Sequence, residues 1–204
     1  VFLDLPNDRY FGLAPDADLA FQRCAAGASL SSLDRQALAT LVNKGILFDL
    51  DRGPQIEPIS LTPATATLQG ANRPKADVTA IVSALLSYDA TKRRFRSLPL
   101  VEQIKAIDMR KRKALAFHNL EPGHGLIRSV EAFRIVRRLA KSSDLCLPWS
   151  IALVSNLAQY GIFPNLVLGV RMKPYAAHAW VQLDDCVLND EVDHVRRFTP
   201  ILVI

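Results

Sequence analysis

Near residue 145 the apolar pattern changes period, and that change restricts the chain to architectures with helices first and an antiparallel sheet last. Leu145 to Tyr160 has apolar residues at helical spacing, with Pro148 tolerated in its first turn and Gly161 just past its end. Short apolar runs follow at residues 165–170, 176–183, 186–189 and 199–204, each the length of a strand. Upstream, three helices are expected. The first starts at Ala76 with Val78, Ile81, Val82, Leu85 and Leu86 on one face; the second runs from Val101 to Ala116. The third, after the loop from His118 to Gly125, contains Val130, Phe133, Ile135, Val136 and Leu139. This order defines an α+β class.

The front of the chain follows a different plan. Val1–Leu5 and Arg9–Leu13 flank the turn-forming Pro6-Asn7-Asp8 and read as a hairpin. Helices are expected from Pro15 to Ala26, with Gly27 beyond, and from Ser31 or Ser32, with Leu33, Ala37, Leu38, Leu41 and Val42 at helical spacing and Gly45 past the end. A third strand is expected at Ile46–Leu50, completing a small winged-helix-like module. Residues 51–76, with Gly53-Pro54, Pro58, Pro63 and Gly70, hold no amphipathic period and read as a linker. The expected division is a module at 1–52, a linker at 53–75 and a second domain at 76–204. Val1 is not methionine and lies inside a strand-like run, so the native start is expected upstream.

Half of the residues are apolar and 22% are charged, which suits a folded chain and excludes a mainly disordered one. No apolar run approaches the roughly 20 residues that span a bilayer, and no secretory signal opens the chain; no membrane association and a cytoplasmic location are expected. The net charge of +5 is concentrated between Lys92 and Arg138, in runs such as Arg110-Lys111-Arg112-Lys113, which usually form solvated helix faces. Three scattered cysteines give neither a disulfide framework nor a zinc motif, and His118 with His124 lacks a companion ligand at useful spacing, so no metal is expected.

One of those cysteines has a particular setting. Cys146 falls at the start of a helix, where free backbone N–H groups and the dipole favour a thiolate. His178 lies among small residues in Ala176-Ala177-His178-Ala179-Trp180, on a strand, and Asp190 lies on the next. Nucleophile, general base and orienting acid in this order is the arrangement that attacks carbonyls through a covalent intermediate. Trp180 is expected to wall the site, the Cys146 backbone N–H to serve a developing oxyanion, Cys24 and Cys186 to be packing residues, and His194 to be exposed.

Register sets a condition on this reading. If Asp184-Asp185 formed a two-residue hairpin, Ala179 would oppose Asp190, and His178 would point to the other face. A three-residue loop or a bulge near residues 183–186 is therefore expected, with Trp180 and Leu188 sharing a face.

The residues Cys146-Leu147-Pro148-Trp149-Ser150-Ile151-Ala152-Leu153, Tyr160-Gly161-Ile162, Leu166–Arg171, Ala177-His178-Ala179-Trp180-Val181 and Asn189-Asp190 together resemble the lasso-peptide biosynthesis B proteins. The resemblance covers residues 126–204. It implies a papain/transglutaminase-like domain that removes a leader peptide, with Cys146, His178 and Asp190 as the catalytic set. It also implies two partners, the leader segment of the precursor and an asparagine-synthetase-like cyclase, to which any need for ATP would belong; no cofactor is expected here. Family members often carry Asp-Gly or Gly-Gly where this chain has Asp184-Asp185.

The first 50 residues resemble the precursor-recognition element of peptide-modifying enzymes, similar to the pyrroloquinoline-quinone peptide chaperone. This resemblance rests on Val1–Leu5, Asp8–Leu13 and the helices after them. It implies leader binding by strand addition at Arg9, Tyr10, Phe11 and Leu13, facing Leu38 and Val42 of the second helix. Leu33, Leu38 and Val42 can equally be plain core. Two rivals stand beside a peptidase: acyl transfer to an amine by the same triad, and a non-enzymatic winged-helix DNA binder. The second is disfavoured because the first 50 residues hold few basic groups to meet phosphates, so no nucleic-acid partner is expected.

Overall fold

The computed structural model describes residues 1–48, 59–68, 77–115, 124–139 and 146–204. By contacts, the described residues before Ile59, apart from Leu5–Asp8, form one unit; Leu5–Asp8 and the residues from Ile59 onward group as the other.

In the first unit β1 (Phe2–Asp4) pairs antiparallel with β2 (Arg9–Phe11), and α1 (Pro15–Ala25) and α2 (Ser32–Asn43) follow. Ser31 caps α2 in a reciprocal box with Asp34, satisfying donors that a helix start leaves open. Ala20, Leu38 and Leu41 form the core, with Leu13 and Cys24 packed against it, and Phe2 meets the rings of Phe11 and Phe21. Leu38 is therefore a core residue and not a free contact for a peptide. The strand expected at Ile46–Leu50 does not form over residues 46–48, and 49–50 lie outside the described residues. Gly45, at φ 66°, turns the chain back, so the N–H groups of Ile46 and Leu47 both donate to the Leu41 carbonyl, at 2.9 and 3.3 Å.

The second unit contains β3 (Ala66–Thr67), α3 (Val78–Ser97), α4 (Leu100–Leu115), α5 (His124–Leu139) and α6 (Cys146–Leu157). A 3₁₀ turn at Ala158–Tyr160 leads to β4 (Asn165–Met172), β5 (Tyr175–Leu183), β6 (Cys186–Val187), α7 (Val192–Val195) and β7 (Thr199–Val203). The sheet order is β3-β6-β5-β4-β7, antiparallel except for the β3–β6 pair. Helices before a largely antiparallel sheet make the α+β class expected from the sequence.

Two elements differ from expectation. Residues 59–68, read as linker, supply the edge strand β3, with Ala64 in the core beside Trp180 and the Thr62 carbonyl accepting from Gln182 Nε2 at 2.6 Å. A short strand of alanine and threonine carries too little apolar pattern to be seen. Helix α3 forms, but it buries Ala80, Ala84, Tyr88 and Thr91, leaving Val78, Val82, Leu85 and Leu86 exposed. It packs on both α5 and α6, and small side chains permit that approach, while Tyr88 stacks on Trp149 of α6 at 3.8 Å. On α3 and α4 the basic runs make spaced pairs, Arg93 with Asp89, Lys105 with Glu102 and Arg112 with Asp108, as solvated helix faces do.

Helix α6 is buried along nearly its whole length, from Trp149 through Val154, because it lies between α3 and α5 on one side and β4 and β5 on the other. Its apolar composition on all sides is the cause. Gly169 of β4 sits opposite His178, and a β-carbon there would come within 2.8 Å of the Trp180 ring and 3.1 Å of Phe198. Gly169→Ala is therefore expected to lower stability by about 1–3 kcal/mol through overpacking. Thermal unfolding against the unmodified chain is the check; an unchanged midpoint would mean the ring moves freely.

Candidate active site

Cys146 is the first of the described residues of α6 and is half-buried. Burial alone would push its thiol up. Hydrogen bonds from His178 and from the backbone at Ala179 and Leu147, with the His178 charge, outweigh that and hold it below the ordinary cysteine range.

His178 lies in the middle of β5, its side chain 10% exposed, with Nε2 2.5 Å from Asp190 Oδ2. The same ring also meets Cys146. Burial would lower the imidazole, but Asp190 and Cys146 oppose it and raise His178 to about 9. Burial would likewise raise Asp190; bonds from His178, the Glu191 N–H at 2.7 Å and His194 hold it at about 2. Thiol, imidazole and carboxylate thus stand in one run, with His178 between the other two.

The route to this geometry is not the one expected. Asp184-Asp185 is a regular two-residue turn, with Leu183 opposite Cys186, Gln182 opposite Val187 and Asp184 at φ 52°. No bulge shifts the pairing there. Instead the ladder ends just beyond Val187: the Leu188 N–H still donates to Val181 O at 2.9 Å, but the Val181 N–H is taken by the Asn189 side chain at 2.8 Å. The main chain bends through residues 188–190, and that bend turns Asp190 toward His178. Trp180 shares its cluster with Val187, not with Leu188. Leu188 lines a cavity of about 280 Å³ beside Asp190 with Val130, Phe133, Trp149 and Leu153.

His194 is half-exposed and partnered: from α7 its Nδ1 reaches both Asp190 oxygens, at 3.0 and 3.1 Å. Asp190 lies in the bend before α7, so this is not a pair along one helix and no periodicity signals it. The ligand atoms of His178, Asp190 and His194 lie within 4.8 Å of one another, the one such group among the described residues, but here the carboxylate is engaged by hydrogen bonds from both rings. His118 lies outside the described residues. Cys24 packs in the first unit, and Cys186 is pushed up by burial and by Asp185. Of the residues expected to meet a leader, Arg9 is exposed and pairs with Asp4, Tyr10 and Phe11 are half-buried on β2, Leu13 and Leu38 belong to the core cluster and Val42 is exposed.

Chemically, the run from Cys146 to Asp190 supplies a nucleophile, a proton carrier and a charged anchor for it. A transglutaminase-like superfamily model matches residues 84–203. Among curated proteins, the "Microcin J25-processing protein McjB" of Escherichia coli is 30% identical over 79 residues, 39% of this chain and 38% of that protein. The match therefore spans well under half of the relative. No solved structure matches.

Proposed function

Because this chain belongs to the transglutaminase-like superfamily, we propose that it is a cysteine peptidase that removes the leader from a lasso-peptide precursor. Cys146 is the nucleophile, His178 the base and acid, and Asp190 the residue that orients the histidine. The observation that carries this reading is the run in which one imidazole meets both the thiol on α6 and a half-buried carboxylate. The partial similarity to a microcin-processing protein supports the substrate class.

In the reaction the Cys146 thiolate adds to the carbonyl of the scissile amide, and the charge that gathers on oxygen is met by the N–H groups at the start of α6. His178, held as imidazolium, gives its proton to the departing amine as the C–N bond breaks. The neutral imidazole then takes a proton from water, which attacks the thioester; the leader leaves as a carboxylic acid, and sulfur departs as the thiolate beside the reprotonated imidazole. The front unit holds the leader along the edge of β2 at Arg9, Tyr10 and Phe11, with Val42 on the facing helix; tethering recognition to cleavage raises the effective concentration of the bond to be cut. The released core would pass to the cyclase.

Cleavage of the precursor encoded beside this chain, run in ¹⁸O-labelled water, tests the reading. One heavy oxygen in the new carboxyl group of the leader is expected, with fragment masses that add one water to the intact peptide. A crosslinked product without label would instead assign the same residues to acyl transfer onto an amine.

A further inference from the structure

We infer that Ser150 and Asn189 are positioning residues, a hydrogen-bond clamp that holds the elements carrying Cys146, His178 and Asp190 in one register. The inference rests on the triad reading above.

Ser150 lies one turn along α6 from Cys146 and is fully buried. Its Oγ donates to the Ala179 carbonyl at 3.1 Å, next to His178 in the chain, and accepts from Asn189 Nδ2 at 2.9 Å. Asn189 precedes Asp190. Its Oδ1 accepts from the Val181 N–H at 2.8 Å, and Arg137 Nη1 donates to its carbonyl at 3.1 Å. One hydroxyl and one amide therefore touch the chain beside all three members of the triad.

The clamp does more than add stability, because of what the Asp184-Asp185 turn would otherwise impose. Its register, continued past Val187, pairs Val181 with Leu188 and puts Asp190 opposite Ala179, with its side chain turned away from His178. The Asn189 oxygen occupies the place on the Val181 N–H that the Leu188 carbonyl would take in that ladder. With the strand's donor satisfied by a side chain, the main chain is free to bend, and Asp190 reaches His178. Removing the amide leaves a buried N–H without a partner, and resumption of the ladder would supply one. That resumption draws Asp190 off the histidine. Loss of the Ser150 hydroxyl frees the start of α6 from β5 in the same way.

The test uses the full chain with Asn189→Ala, Ser150→Ala and, as a control, Asn156→Ala. Asn156 is equally buried on α6, but bonds to Ser83 and Ser87 on α3, away from the triad. Iodoacetamide labelling of Cys146, mapped by mass spectrometry across pH, is measured beside thermal unfolding and cleavage kinetics. Both clamp variants are expected to label Cys146 about tenfold more slowly at pH 6, with the midpoint moving up toward the ordinary thiol value of about 8.5. Their kcat should fall about a hundredfold with KM unchanged, the cost of a misplacement of about 1 Å. Asn156→Ala should lower the unfolding temperature and leave the labelling profile where it was. Folded clamp variants with the unmodified chain's labelling profile would overturn the inference, and if Asn189→Ala does not fold, Ser150→Ala decides alone. A shifted profile in the variants, beside an unmodified chain that itself cuts no peptide, would leave the clamp standing and remove the peptidase reading.

Discussion

Cys146→Ala is expected to reduce precursor cleavage by roughly 10⁴-fold or more while leaving leader binding intact, because the nucleophile is lost and the front unit is not touched. The size of the effect follows from the covalent route: without sulfur no thioester forms, and what remains is water attacking an amide held near an imidazole. Binding of a fluorescently labelled leader peptide, measured beside cleavage, separates the two terms. Retained cleavage in the alanine variant would end the peptidase assignment, whereas lost binding would place Cys146 in recognition instead.

Asp190 is the second position with a large expected effect. The carboxylate fixes the His178 ring through Nε2 and is one of the groups that raise the imidazole to about 9. Asp190→Ala should lower the rate by roughly 10²–10⁴-fold, since the ring loses both its orientation and its charge partner. Asp190→Asn should recover part of the loss, because an amide oxygen can still accept from Nε2. Its rate–pH profile should differ in one direction. With the negative charge gone, His178 loses its proton more easily, so the alkaline limb moves down from about 9 toward the ordinary histidine value of about 6.5. The sign for stability follows from the same shifts. His178, raised on folding, contributes fully below its unfolded value, and that contribution fades as pH rises through about 9. Asp190, depressed on folding, contributes above its unfolded value, and that contribution fades as pH falls through about 2. An unchanged alkaline limb in Asp190→Asn would mean that the carboxylate does not govern the histidine.

How much of this was legible in the sequence depended on whether the cause was local. Cys146 at a helix start could be read from Pro148 and from the apolar run to Tyr160, and the strand with His178 from its alternation. The meeting of His178 with Asp190 could be proposed but its means could not. Hairpin rules place these side chains on opposite faces, and the escape lies in Asn189 taking a backbone hydrogen bond, which no periodicity records. The face of α3 was misread for a related reason. Apolar spacing selects Val78, Val82 and Leu85, but packing against two helices selects Ala80 and Ala84, whose merit is their small size. Residues 59–68 looked like linker because β3 takes its order from Asp185 of the turn and Val187 of β6, not from its own side chains. In the first unit, Gly45 ended α2 as expected, yet the chain after it folds back on Leu41 instead of extending.

In the proposed reaction the Cys146 thiolate, paired with His178, cuts the peptide. Partial labelling with iodoacetamide at pH 6, where an ordinary thiol of pKa about 8.5 is almost wholly protonated, tests it most directly. Residual cleavage of the precursor is plotted against the fraction of Cys146 carboxamidomethylated. Rapid labelling of Cys146 is expected, ahead of Cys186, whose thiol is pushed up by burial, with a loss of cleavage that follows Cys146 modification one for one. Full modification of Cys146 with cleavage undiminished would contradict it.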